Sequence, residues 1–174
     1  MSATDYDLTK IRAFALDVDG VLSPSTIPLE DDGRPRRMVN IKDGYALQLA
    51  VRLGYKIGII TGGREESIRL RFESLGISDI YLGAAMKLPV LTAWMEHEGL
   101  TPEEVVYMGD DIPDLRAMRH VGLPCCPNDA AAEVRMTAKY VSRFGGGYGC
   151  VRDIIEQTLK ARSQWMADDT AFGW

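Results

Sequence analysis

Two carboxylates separated by a single residue, Asp17 and Asp19, follow the apolar run Ile11–Leu16. At the carboxyl end of a strand, a local turn can aim both side chains at one point. Carboxylates that close repel each other, and one is driven towards protonation unless a cation sits between them. Mg²⁺ resolves the conflict, because it is hard, takes oxygen ligands and binds one or two carboxylates together with phosphate oxygens. A second acidic group, Asp110-Asp111 with Asp114 beyond it, follows the apolar run Val105–Met108. A lone Asp-x-Asp is as readily a turn or a helix cap. Two acidic clusters at two strand ends of one sheet point to a metal site that receives phosphate.

Two further motifs supply the complementary groups. Thr61-Gly62-Gly63 closes the run Lys56–Ile60. A hydroxyl and adjacent backbone N–H groups, with a helix beginning just beyond, form an anion-binding turn, although the same residues also suit a plain strand-to-helix connection. Lys87 opens the helical stretch Lys87–Glu98, where a cation opposes the helix dipole. Its charge is therefore expected to serve a partner elsewhere; standing alone it would read as a solvated lysine.

The elements that must carry these residues alternate along the chain. Expected strands are Ile11–Leu16, Lys56–Ile60, Ile80–Leu82, Val105–Met108, Leu123–Cys126 and Tyr140–Val141. Between and after them lie amphipathic stretches at Gly44–Leu53, Glu65–Leu75, Lys87–Glu98, Pro113–His120, Ala130–Thr137 and Val151–Arg162. Continuous apolar strands each followed by a helix predict an α/β fold, a Rossmann-like doubly wound parallel sheet covered on both faces. Such sheets bind ligands outside the carboxyl ends of their strands. Without repeats or linkers, residues 1–174 read as a single domain. Between Val21 and Ile41 the alternation breaks: Thr26–Leu29 and Arg36–Val39 flank Glu30-Asp31-Asp32-Gly33, which predicts a β-hairpin flap over residues 21–40, beside the ligand edge. Gly145–Gly149 reads either as a loop near that edge or as a simple connection.

Composition limits the partners. The 174 residues are 46% hydrophobic and 26% charged, the mixture of a globular protein. A net charge of −5 argues against a nucleic-acid partner. No apolar run approaches the ~18 residues of a membrane span, so no membrane insertion is expected. Met1–Lys10 is polar and lacks the apolar centre of a secretory signal. Cys125, Cys126 and Cys150 are odd in number and lack metal-ligand spacing, which predicts a reducing cytoplasm and no structural disulfide. Ser163–Trp174 carries Trp165, Met166, Phe172 and Trp174 without a helical stripe, so it either docks somewhere or frays.

In chain order, Asp-x-Asp, Thr, Lys and Gly-Asp-Asp-x-x-Asp resemble the haloacid dehalogenase superfamily of phosphotransferases. That resemblance implies that Asp17 is a nucleophile forming an aspartyl-phosphate and that Asp19 is the general acid/base. Thr61 would bind the phosphoryl group and Lys87 would neutralise it. Asp17, Asp110 and the carbonyl of Val18 would hold Mg²⁺, with Asp19 and Asp111 also counted in the metal set and Asp114 in support. Receiver domains, the different-class alternative as phosphoacceptor signalling modules, lack an acid two residues after the acceptor, and their acidic pair precedes it. Most phosphatases of the superfamily carry a cap domain; here the spacing leaves no room for one.

Further motifs narrow the resemblance. They are Asp17-Val18-Asp19-Gly20-Val21-Leu22-Ser23, Asn40-Ile41-Lys42-Asp43-Gly44-Tyr45, Ile59-Ile60-Thr61-Gly62, Gly109-Asp110-Asp111-Ile112-Pro113-Asp114 and Gly145-Gly146-Gly147-Tyr148-Gly149-Cys150-Val151-Arg152-Asp153. Together they are similar to the 3-deoxy-D-manno-octulosonate 8-phosphate phosphatase family, over Ile11 to Arg162. This implies a Mg²⁺-dependent enzyme of lipopolysaccharide synthesis, a homotetramer whose hairpins associate and whose neighbouring subunits complete each site. Substrate contacts would come from Asp19, Asn40, Ile41, Lys42, Asp43, Gly44, Gln48, Gly62, Arg64, Arg71 and Lys87. Arg71 also reads as a solvated helix residue. Two departures stand out: Gly63 occupies a place where the family often has Arg, and Gln48 a place that can be basic. Several relatives acting on nonulosonate 9-phosphates, the alternative substrates, have Glu where Gly63 stands.

Overall fold

The strand that delivers the first carboxylates, β1 (Ala13–Leu16), lies within a six-stranded all-parallel sheet. The computed structural model describes residues 4–173; Met1 and Trp174, both named above, lie outside the described residues. After β1 follow α1 (Ile41–Arg52), β2 (Lys56–Ile60), α2 (Glu66–Glu73), β3 (Asp79–Tyr81), α3 (Lys87–Glu98), β4 (Val105–Met108), α4 (Leu115–Met118), β5 (Leu123–Cys126), α5 (Ala132–Thr137), β6 (Tyr140–Val141) and α6 (Cys150–Ala161). The sheet order is β3-β2-β1-β4-β5-β6, so the strand order reverses at β1. This is the expected doubly wound α/β architecture.

Alternation along β1 sorts the two cores. Phe14 and Leu16 pack with Ala46, Leu47, Ile68, Phe72, Ile154 and Ile155 of α1, α2 and α6. Ala13 and Ala15 face Leu91, Trp94, Met118 and Val134 of α3, α4 and α5. Burial of these apolar faces is what holds the helices to the sheet. Register then fixes the functional edge. Leu16 pairs with Ile59 on one side and Met108 on the other, so Asp17, Thr61 and Asp110 emerge within two residues of one level.

Differences from the sequence reading cluster at element ends. The first strand begins at Ala13 rather than Ile11, and α1 begins at Ile41, because the Asn40 side chain accepts the N–H groups of Lys42 and Asp43. The helix expected over Pro113–His120 shortens to α4 behind a 3₁₀ turn at Ile112–Asp114, where Asp111 and Asp114 form a reciprocal capping box. The flap is also reduced. Its turn is present, with Gly33 at φ +83° and the Gly33 N–H donating to the Glu30 carbonyl, but pairing stops at one bridge, Leu29 to Pro35. Neither Thr26–Leu29 nor Arg36–Val39 is a strand, since Pro24, Pro28 and Pro35 cannot donate to a ladder.

The C-terminal segment docks on its own chain. Trp165 meets Tyr45 edge-on, Arg152 lies 5.4 Å from the Tyr45 ring and 4.7 Å from that of Trp165, and Arg52 donates to the carbonyls of Thr170 and Gly173. Cys125, Cys126 and Cys150 are buried free thiols. Among the described residues, no helix is long and apolar enough to cross a membrane.

Candidate active site

Asp17 leaves β1 almost fully buried, its Oδ1 accepting the Val18 N–H at 2.7 Å and its Oδ2 lying 2.6 Å from Lys87 Nζ. Lys87 Nζ also donates to Asp114 Oδ1 at 2.7 Å. The lysine that opens α3 is therefore drawn to two carboxylates. Asp114 accepts in addition the Tyr107 hydroxyl at 2.7 Å and the N–H groups of Asp110 and Asp111 at 3.1 and 3.3 Å. It fixes both Lys87 and the turn that carries Asp110.

The electrostatics of this cluster are unbalanced. Burial, reinforced by the charge of Asp114, pushes Asp17 up to about 7 despite Lys87. Burial, then Asp17 and Asp114, likewise push Asp110 up to about 7. Burial opposes the charge on Lys87, but the two carboxylates outweigh it and its pKa rises. Oxygens of Asp17, Asp110 and Asp114 can all lie within 4.8 Å of one another. Three carboxylates against one ammonium form a negative well of hard oxygen donors, the environment that suits a divalent cation. Asp114 is already occupied by its donors, so Asp17 and Asp110 are the ligands best placed to hold it. Gly20 makes the approach feasible: its φ is +83°, and a Cβ there would fall 1.9 Å from Asp110 Oδ2.

Three members of the expected metal set have protein partners in this chain. The Val18 carbonyl accepts the N–H groups of Val21, Leu22 and Ser23, which directs it into the turn. Asp111 is exposed, and its carboxylate caps the 3₁₀ turn. The Asp19 carboxylate is gripped by Arg37, with Nε at 2.7 Å from Oδ1 and Nη2 at 2.8 Å from Oδ2. Neither Asp19 nor Asp111 joins the carboxylate cluster found among the described residues.

Thr61 is buried, and its hydroxyl accepts the Gly63 N–H at 3.0 Å, which orders the turn after β2. Asp17, Asp19, Thr61, Gly62, Lys87, Asp110 and Asp111 line one cavity of about 420 Å³. Arg64 and Arg71 instead line a larger neighbouring cleft of about 880 Å³, between the flap and α2. The remaining expected substrate residues, Asn40, Ile41, Lys42, Asp43, Gly44 and Gln48, lie at or along α1 and line neither cavity of this chain. Asn40 caps α1 and donates to the Gly147 carbonyl, tying the glycine loop beside the Asp17 turn. Asp43 is buried, accepts the Arg152 N–H at 2.7 Å near the start of α6, and is pushed up to about 6 by that burial. Gly44 lies beneath Arg71, where a Cβ would come 2.6 Å from Nη2. Gln48 Oε1 and Arg71 Nε are buried without a partner. Ile41 and Lys42 are exposed.

Sequence reasoning passed over Arg37 and Tyr107. Tyr107 is an ordinary strand residue by pattern, and Arg37 is one of three arginines in a charged flap. Only their side-chain positions mark them.

A model of the haloacid dehalogenase-like hydrolases matches residues 41–127. A 3-deoxy-D-manno-octulosonate 8-phosphate phosphatase of Escherichia coli is 36% identical over 154 residues, covering 88% of this chain and 82% of that protein. The chain belongs to the haloacid dehalogenase superfamily and, within it, to the 3-deoxy-D-manno-octulosonate 8-phosphate phosphatase family. Its solved relatives include the Moraxella catarrhalis phosphatase in complex with magnesium ion, phosphate ion and KDO molecule, at TM-score 0.89, 32% identity and 96% coverage of each chain. The Yersinia pestis phosphatase superposes at TM-score 0.87 with 33% identity, covering 91% of this chain and 85% of its own. Family membership makes the protein a hydrolase of phosphoric monoesters.

Proposed function

We propose that this chain is a cytoplasmic, Mg²⁺-dependent phosphatase that hydrolyses 3-deoxy-D-manno-octulosonate 8-phosphate to the free sugar acid and phosphate, a step of lipopolysaccharide synthesis. The observation that carries the reading is the convergence of Asp17, Thr61, Lys87, Asp110 and Asp114 at one sheet edge in a chain 36% identical to a phosphatase of that name. Asp17 attacks phosphorus with a carboxylate oxygen, forming an acyl–phosphate bond as the bond from phosphorus to the sugar oxygen breaks. Asp19 gives its proton to that departing oxygen, then takes one from the water that cleaves the acyl phosphate. Lys87 offsets the phosphoryl charge, while the Thr61 hydroxyl, held by the Gly63 N–H, and the N–H of Gly62 orient its oxygens. Asp17 and Asp110 would hold a divalent cation, which would supply charge neutralisation for the incoming dianion. The absence of an inserted cap among the described residues and the exposed apolar residues Leu29, Met38, Val39 and Ile41 support a homotetramer with sites at subunit boundaries.

Phosphate release from a panel of sugar phosphates, with Mg²⁺ and after EDTA and dialysis, tests this. The eight-carbon sugar acid phosphate is expected to be hydrolysed better than nonulosonate 9-phosphates or hexose phosphates, and only with the metal. Undiminished release without metal, or a single uptake of phosphate without turnover, would sink the reading.

A further inference from the structure

The contact between Arg37 and Asp19 stands out because it withholds the residue that must work on the leaving group. Arg37 comes from the flap and its side chain is only 10% exposed. Its planar fork takes both oxygens of Asp19, and its remaining terminal nitrogen, Nη1, lies 2.6 Å from Glu65 Oε2. Gly63 makes the space for it: a Cβ at that position would lie 2.7 Å from Arg37 Nη2. Arg37 also stands on a boundary. It lines the larger cleft with Arg64 and Arg71, whereas Asp19 and Gly63 line the catalytic cavity. Arg37 takes one lone pair on each Asp19 oxygen and so restrains the carboxylate from turning to the oxygen that departs from phosphorus.

We propose that Arg37 is an exchangeable clamp on Asp19, released when a carboxylate borne by the substrate takes the guanidinium fork in its place. This rests on the proposed role of Asp19 and deepens the proposed substrate class. The exchange is chemically even: a bidentate arginine–carboxylate pair is broken and another of the same geometry is made. A sugar acid phosphate carries its own replacement carboxylate; a hexose phosphate does not, and must break the clamp without compensation. Arg37 is thus a specificity-determining residue that acts by holding Asp19 back from esters lacking a carboxylate. Arg64 and Arg71, on the same cleft, give the incoming carboxylate a cationic approach.

The test compares 3-deoxy-D-manno-octulosonate 8-phosphate with glucose 6-phosphate, both alkyl esters that need a proton on the leaving oxygen, in wild type, Arg37→Ala and Arg37→Gln. Each variant should raise kcat/KM for glucose 6-phosphate roughly ten- to a hundredfold, the worth of a charge-assisted pair. For the sugar acid phosphate the change should be much smaller, because the lost carboxylate contact and the lost clamp offset each other. The gain on the hexose ester should appear in kcat rather than KM. Equal losses on both substrates, in folded protein of either variant, would make Arg37 a structural residue. A loss on the sugar acid phosphate alone would make it a carboxylate receptor that does not restrain Asp19, and unchanged kinetics would remove it from specificity altogether. If wild type shows no preference for the sugar acid phosphate, the substrate reading fails, while a rise on glucose 6-phosphate in the variants still establishes the clamp.

Discussion

Asp114 illustrates how one carboxylate can organise a site without meeting the reacting atoms. It is 1% exposed and accepts Lys87 Nζ, the Tyr107 hydroxyl and two backbone N–H groups. Asp114→Ala leaves those buried donors short of a partner and should destabilise the protein by about 3 kcal/mol, read by denaturant unfolding; a change within ordinary surface scatter would mean that the network is not formed. Asp17→Asn should abolish turnover, since an amide cannot form the acyl phosphate, and near wild-type activity in protein free of deamidation would overturn covalent catalysis. The raised pKa values of Asp17 and Asp110 give a further expectation. In metal-free protein these groups contribute most to stability below their ordinary value of 3.8, and that contribution is lost as pH rises through about 7. Mg²⁺ competes with the protons, so millimolar Mg²⁺ should raise Tm more at pH 8 than at pH 6. An equal gain at both would place the cation elsewhere.

At the scale of elements, α1 proves to be a connector between the segments around the site. Asn40 ties its start to the glycine loop, and Asp43 reaches the start of α6. Asp43 is 1% exposed, with its pKa pushed up to about 6 by burial, so its contribution to stability is present below about 4 and lost as pH rises through 6. Asp43→Asn keeps an acceptor for the Arg152 N–H and removes the charge. The variant should therefore gain on wild type between pH 4 and 6, by on the order of 3 kcal/mol, and hold that difference above pH 6. Parallel unfolding curves at every pH would show that Asp43 is not desolvated in the folded state. The substrate role inferred for these residues came from motif resemblance, which does not separate a residue that touches a ligand from one that braces the turn beside it. The flap shows a similar limit: its Asp-Gly turn was legible, but the prolines that prevent a ladder act on backbone donors, which apolar patterning does not register.

For the whole molecule, the apolar surface around the flap carries the expectation of assembly. Leu29 and Ile41 are 69% and 64% exposed, with Met38 and Val39 also open. Sedimentation should give a tetramer, and Met38→Asp with Val39→Asp should dissociate it and lower activity; a fully active monomer would contradict the proposed assembly. The parallel sheet, the order of its elements and the convergence of Asp17, Thr61, Lys87 and Asp110 could be read along the chain. Each rests on period, strand-end position and side-chain type, and these are local properties. Three features required the folded chain: Arg37 closing on Asp19, Asp114 gathering Lys87 and Tyr107, and the Val18 carbonyl turning inward. In each, the partners are fixed by packing between segments distant in sequence or by competition among backbone donors. Residue type states what such a group can bond, but only its place in the fold decides which partner reaches it first.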